Sequence, residues 1–169
     1  STGISDEEII RMAITSMGLD DLKPFIAEEK VIESLIAPEN AKGLVDLTCR
    51  GFAQETASES PAPGGGSISA YMGALAAALG TMVANLSAHK PGWDDQWETF
   101  SDAAEEGQAH LKELLALVDE DTAAFNRIMD SFKLPKATEE EKVARTQAIQ
   151  DATLYATQVP LRTMKAAYA

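Results

Sequence analysis

Two stretches of the chain carry residue types suited to chemistry. The first is Gly64-Gly65-Gly66-Ser67, led in by Pro61-Ala62-Pro63 and followed by a helix-like run. Glycines allow close approach to the backbone, and the first amides of a helix are unpaired donors with partial positive charge. Such a terminus can hold a carboxylate or phosphate. It is not a P-loop, because no Gly-Lys-Ser/Thr follows and no strand precedes it. Nor is it a dinucleotide fingerprint, since a βαβ setting is missing. The same residues equally suit a tight loop at which two helices cross. The second stretch centres on Asp121, one turn after Val118 and one turn before Phe125 on an apolar helical seam. A carboxylate on a buried face needs a partner. It is either a general acid in a pocket, or a structural Asp bonded to a backbone amide or to a Lys or Arg of a neighbouring helix. Asp119 and Glu120 fall on other faces and are expected in solvent.

Cations able to complete an anion site are few. Lys90 follows the uncharged run, Lys136 lies in a Leu-Pro-Lys turn, and Arg145 falls early in the last helical pattern. Trp93 and Trp97 could stack on a flat heterocycle, but such residues more often anchor a subunit interface or cover the end of a bundle. The formal net charge of -13 over 169 residues argues against nucleic acid or an anionic membrane as partner. Cys49 is the single cysteine, and His89 and His110 are the two histidines, so no metal site is expected. The chain opens without a basic leader, and a cytoplasmic location is the default expectation.

The elements that must position these residues read as helices throughout. Ser5 to Glu8 is a capping box, and Ile9, Ile10, Ala13, Ile14 and Met17 follow at helical spacing up to a stop at Gly18. A short helix is expected at 28–36 and another from about Asn40 to Thr56. The stretch from Ser60 to His89 holds no Asp, Glu, Lys or Arg. Its segment Ile68 to Leu86 is about the length that spans a bilayer. Its Ala and Gly content, with Ser69, Thr81 and Asn85, suits a buried helix of a soluble protein better. Gly73, Ala77, Gly80 and Ala84 predict a smooth face for close helix packing, with Leu75, Leu79, Met82 and Leu86 beside it. Apolar nearly all round, this helix is expected at the centre of the fold. From about Trp97 to Phe132 a long seam runs through Phe100, Ala104, Gly107, Leu111, Leu114, Val118, Asp121, Phe125, Ile128 and Phe132. Thr138 to Glu141 is a second capping box. It opens a helix carrying Val143, Ala148, Ile149, Ala152, Ala156 and Val159, with Pro160 expected to kink it. No period-two run or hairpin signal is present. The prediction is an all-α bundle of about six helices around a central small-residue helix.

SESPAPGGGSISAYMGALAAALGTMVANLS, then VDEDTAAFNRIM, LPKATEEEKVAR and the VPL of the last helix, resembles the cyclodeaminase/cyclohydrolase family, which forms the C-terminal half of formiminotransferase-cyclodeaminases. GLDDLKPFIAEEKVIESLI resembles the exit of the formiminotransferase half. The resemblance implies a linker-like helical segment over 1–38 and a cyclodeaminase-like domain over 39–169 that in the family continues further. It implies closure of 5-formiminotetrahydrofolate to 5,10-methenyltetrahydrofolate with loss of ammonia, and no cofactor beyond the polyglutamylated folate substrate. It also implies a homodimer or higher homo-oligomer, with a formiminotransferase domain fused or partnered. On that reading Asp121 is catalytic, and Gly64, Gly65, Gly66 and Ser67 bind the folate with Lys90, Lys136 or Arg145. The related methenyltetrahydrofolate cyclohydrolase activity and a non-catalytic helical association module are the alternatives.

Overall fold

The computed structural model describes residues 6–21, 23, 25, 26, 30, 31 and 43–168. Among these residues there is no strand. They form five α-helices, α1 (Asp6–Ser16), α2 (Cys49–Thr56), α3 (Gly65–Ala88), α4 (Trp97–Lys133) and α5 (Glu139–Tyr168), with 3₁₀ turns at Leu44–Asp46 and Asp94–Gln96. The fold is all-α, as the periodicity predicts. The expected Ser5 cap lies outside the described residues, as does the expected 28–36 helix apart from residues 30 and 31. The chain divides into two compact units, one of Ser1–Ala41 with Thr81–Gln108 and one of Lys42–Gly80 with Ala109–Ala169.

Local chemistry sets the helix ends. Gly18 takes φ 63°, and the Leu19 amide bonds the Ile14 carbonyl while the Gly18 amide bonds that of Thr15. This pairing closes α1 with the left-handed residue that glycine supplies without strain. At α5 the predicted box forms: Thr138 Oγ1 accepts from the Glu141 amide at 3.2 Å, and Glu141 Oε2 accepts from the Thr138 amide at 3.1 Å. The helix expected over 40–56 is instead broken. Leu47 and Thr48 are extended, and α2 starts only at Cys49. Two side chains enforce the break. Asp46 accepts from the Gly43 amide at 2.8 Å and Thr48 Oγ1 from the Gly51 amide at 3.0 Å, so local caps replace helix continuation. α5 continues through Pro160 to Tyr168.

The larger core belongs to the unit of Lys42–Gly80 and Ala109–Ala169. Ala70 and Ala74 of α3 meet Leu114, Leu117, Val118 and Ala124 of α4, Val159 and Ala166 of α5, and Phe52 of α2. The Phe52 and Tyr71 rings lie 4.9 Å apart and join α2 to α3. Gly73 faces Leu114 of α4 and Ala167 of α5, where an added Cβ would be 3.3 and 3.5 Å away, so the small residue permits this three-helix approach. In the other unit, Gly107 lies against the Thr81 hydroxyl, and Ala84 and Ala104 are buried.

Burial corrects three expectations. α3 is buried on one side only: Ser67, Ala70, Ala74, Thr81 and Ala84 are buried, whereas Met72, Leu75, Leu79, Met82, Val83 and Leu86 are exposed. A helix hides only the arc that its neighbours cover, and composition cannot say how many neighbours there are. Its inward stripe runs through Ser67, Ala70, Ala74, Ala77, Thr81 and Ala84, while Gly80 faces open space. On α4, Leu117, Ala124 and Ser131 join the buried side while Phe132 is exposed. On α5, Val143 is exposed.

Candidate functional site

α4 carries three successive carboxylates, Asp119, Glu120 and Asp121. A helix turns by about 100° per residue, so the three side chains fan out toward different neighbours. Asp119 Oδ1 accepts from the Leu44 amide at 2.6 Å, and its carboxylate abuts Gly43. Glu120 Oε1 accepts from the Tyr155 hydroxyl at 2.7 Å and from Arg162 Nη1 at 2.6 Å. Asp121 Oδ2 accepts from the Ser67 amide at 2.9 Å and the Ser67 hydroxyl at 3.1 Å. Ser67 Oγ also lies 3.3 Å from Thr122 Oγ1. One segment of α4 thereby ties down the Leu44 turn, α5 and the start of α3. This corrects the solvated placement of Asp119 and Glu120, because a helical face says nothing of which neighbour lies opposite it.

The electrostatics of the Glu120 cluster follow from its contacts. Burial pushes the Glu120 carboxyl upward, but the hydrogen bonds from Tyr155 and Arg162 and the Arg162 charge outweigh it, leaving the pKa below the usual carboxylate value. The bond to Glu120 raises the Tyr155 phenol above its ordinary value, with burial adding to the effect and the Arg162 and Arg127 charges opposing it. Burial, then the adjacent Cys49 of α2, raises the Tyr71 phenol of α3 above its ordinary value.

Gly66, Ser67 and Asp121 come together. Ser67 is fully buried, and a Cβ on Gly66 would run into the Asp121 carboxylate. Gly64 and Gly65 have open space where a side chain would be. Among the described residues, the amides of Gly65 and Gly66 have no hydrogen-bond acceptor and Asp121 Oδ1 has no donor. The result is a small polar corner, with one carboxylate oxygen anchored, the other available, and two helix-terminal amides open beside it.

Within the larger unit, neither Arg145 nor Lys136 contacts this corner. Arg145 Nη2 donates to the Phe132 carbonyl at 3.2 Å and its guanidinium lies 5.7 Å from the Phe132 ring, so it caps the end of α4. That end is about 18 Å along the helix from Asp121. Lys136 is exposed in the loop after α4. Lys90 belongs to the other unit, where Nζ sits 4.3 Å from the centre of the Trp93 ring, itself stacked on Phe100 at 5.4 Å. Sequence reasoning missed Tyr155, Arg162 and Arg127. Arg127 lies 5.4 Å from the Tyr155 ring centre and lines a groove of about 460 Å³ with Ala123, Asn126, Asp130, Ser131 and Leu134. The available signal was spacing: Glu120 and Arg127, and likewise Tyr155 and Arg162, are seven residues apart and share a helical face.

Known proteins resemble the chain on both sequence and structure. A family profile described as Formiminotransferase-cyclodeaminase matches residues 48–169. The Formimidoyltransferase-cyclodeaminase of Mus musculus is 37% identical over 162 residues, which cover 94% of this chain and 30% of that protein. The Methenyltetrahydrofolate cyclohydrolase of Methylorubrum extorquens is 38% identical over 114 residues, covering 68% of this chain and 55% of that one. A crystal structure of formiminotetrahydrofolate cyclodeaminase from Thermotoga maritima superposes with a TM-score of 0.60 at 29% identity, covering 71% of this chain and 56% of that one. The chain spans about 30% of the length of the Mus musculus relative.

Proposed function

Because the chain belongs to the formiminotransferase-cyclodeaminase family, we propose that it closes 5-formiminotetrahydrofolate to 5,10-methenyltetrahydrofolate with release of ammonia. The observation that carries this reading is the Asp121 corner. Closure begins when N10 attacks the carbon of the protonated formimino group, forming the N10–C bond. The proton on N10 must then reach the departing nitrogen before the C–N bond breaks. Ammonia leaves, and the positive charge stays on the methenyl carbon between N5 and N10. A carboxylate with one oxygen fixed by Ser67 and the other available suits both tasks, taking the N10 proton and delivering it to the amine. Its negative charge also favours the cationic product. The open amides of Gly65 and Gly66 can accept an electronegative group of the folate, and Gly64 leaves the approach unobstructed.

The chain is further proposed to act as a homodimer or higher homo-oligomer, with a formiminotransferase domain fused or partnered. The exposed apolar sides of its helices and the two-part names of the longer relatives support this. The similarity to a cyclohydrolase supports a second reading, in which water opens the methenyl ring of the same folate. One assay separates them. Given 5-formiminotetrahydrofolate, a cyclodeaminase produces methenyl absorbance and ammonia together. Given 5,10-methenyltetrahydrofolate, a cyclohydrolase bleaches that absorbance. Neither change with a folded protein contradicts both.

A further inference from the structure

We propose that Arg127 holds the carboxylates of the folate's glutamate tail, an assignment that rests on the folate reading above. The guanidinium lies 5.4 Å from the Tyr155 ring centre, and the ring is itself fixed through the 2.7 Å bond from its hydroxyl to Glu120. A cation–π contact with a fixed ring holds the guanidinium near it without using its N–H groups. Among the described residues the Arg127 side chain has no hydrogen-bond or ion-pair partner, while its backbone carbonyl accepts from the Ser131 hydroxyl.

The neighbouring carboxylates that would satisfy it are already engaged. Glu120 pairs with Arg162 at 2.6 Å and Asp130 with Lys133 at 2.8 Å. Arg127 is exposed, so its guanidinium is open to an incoming anion. Arg127 lines the shallow, open groove of about 460 Å³ together with Asn126, Asp130 and Ser131. A guanidinium fork also matches a carboxylate with two parallel bonds. Arg145 of α5 is committed to the Phe132 carbonyl and Arg162 to Glu120.

Titration calorimetry with tetrahydropteroate, tetrahydrofolate and its pentaglutamate tests this. Arg127→Gln is expected to weaken the pentaglutamate by about tenfold while leaving tetrahydropteroate, which lacks the glutamate, unchanged. Arg127→Lys is expected to restore only part of the loss, since it keeps the charge without the fork. Unchanged pentaglutamate affinity in Arg127→Gln overturns the assignment. So does an equal loss for tetrahydropteroate, which would mark a structural effect. Unaltered protein that binds none of the three overturns the folate reading itself, and with it this assignment.

Discussion

At two places in the larger unit a glycine faces a carboxylate of α4: Gly66 faces Asp121, and Gly43 faces Asp119. In each case the missing Cβ is what lets the carboxylate reach a backbone amide, that of Ser67 or of Leu44. Gly66→Ala should therefore cost about 1–3 kcal/mol, as overpacking at a tight contact does. Gly65→Ala, which meets open space, should be neutral or slightly stabilising. Urea unfolding of the two variants checks this, and equal costs would contradict it. Asp121 was legible in the sequence as a carboxylate that needs a partner, because it interrupts an apolar seam. Which partner it takes was not legible, because that depends on how α3 slides along α4. The glycines looked alike in the sequence, and only the packing separates Gly66 from Gly64 and Gly65.

At the level of elements, α4 and α5 are clasped by Glu120, Tyr155 and Arg162. The Glu120 pKa is depressed in the folded state. Its stabilisation is thus present above the unfolded value near 4.5 and is lost as pH falls through the lower, folded one. Tyr155 is raised above 10.0, so its contribution is present below that value and is lost as pH climbs through the folded pKa. Melting curves across pH should fall at both extremes, and Glu120→Gln should flatten the acid limb. An acid limb identical in that variant would contradict the clasp. The helix limits at Gly18 and Thr138 could be read directly, since each rests on local chemistry. The break at Leu47–Thr48 could not, because the periodic apolar residues ran through it while the extended Thr48 N-cap lets the helix start only at Cys49.

For the whole molecule, all-α architecture followed from periodicity, but the expected all-round burial of α3 did not hold. Within the larger unit, Met72, Leu75 and Leu79 of α3 and Leu154, Leu161 and Met164 of α5 turn outward. The small residues of these helices face the core, so the large apolar ones are left for another surface. A face without charges on α3 allows self-contact despite a net charge of -13. Sedimentation at rising concentration should show association, reduced in Leu75→Lys and Leu79→Lys. A monomer at every concentration would contradict the proposed homo-oligomer. Sequence pattern identified these residues as apolar; how many helices surround them is a property of packing that no single pattern encodes.

The central claim is that Asp121 moves the proton in ring closure. The direct measurement is the rate of methenyl formation and ammonia release from 5-formiminotetrahydrofolate by Asp121→Asn, with folding verified by its melting transition. Asparagine can still accept the Ser67 bonds but cannot take a proton, so the rate is expected to fall by about 10²-fold or more. A folded Asp121→Asn protein that cyclises at the unaltered rate would contradict the account.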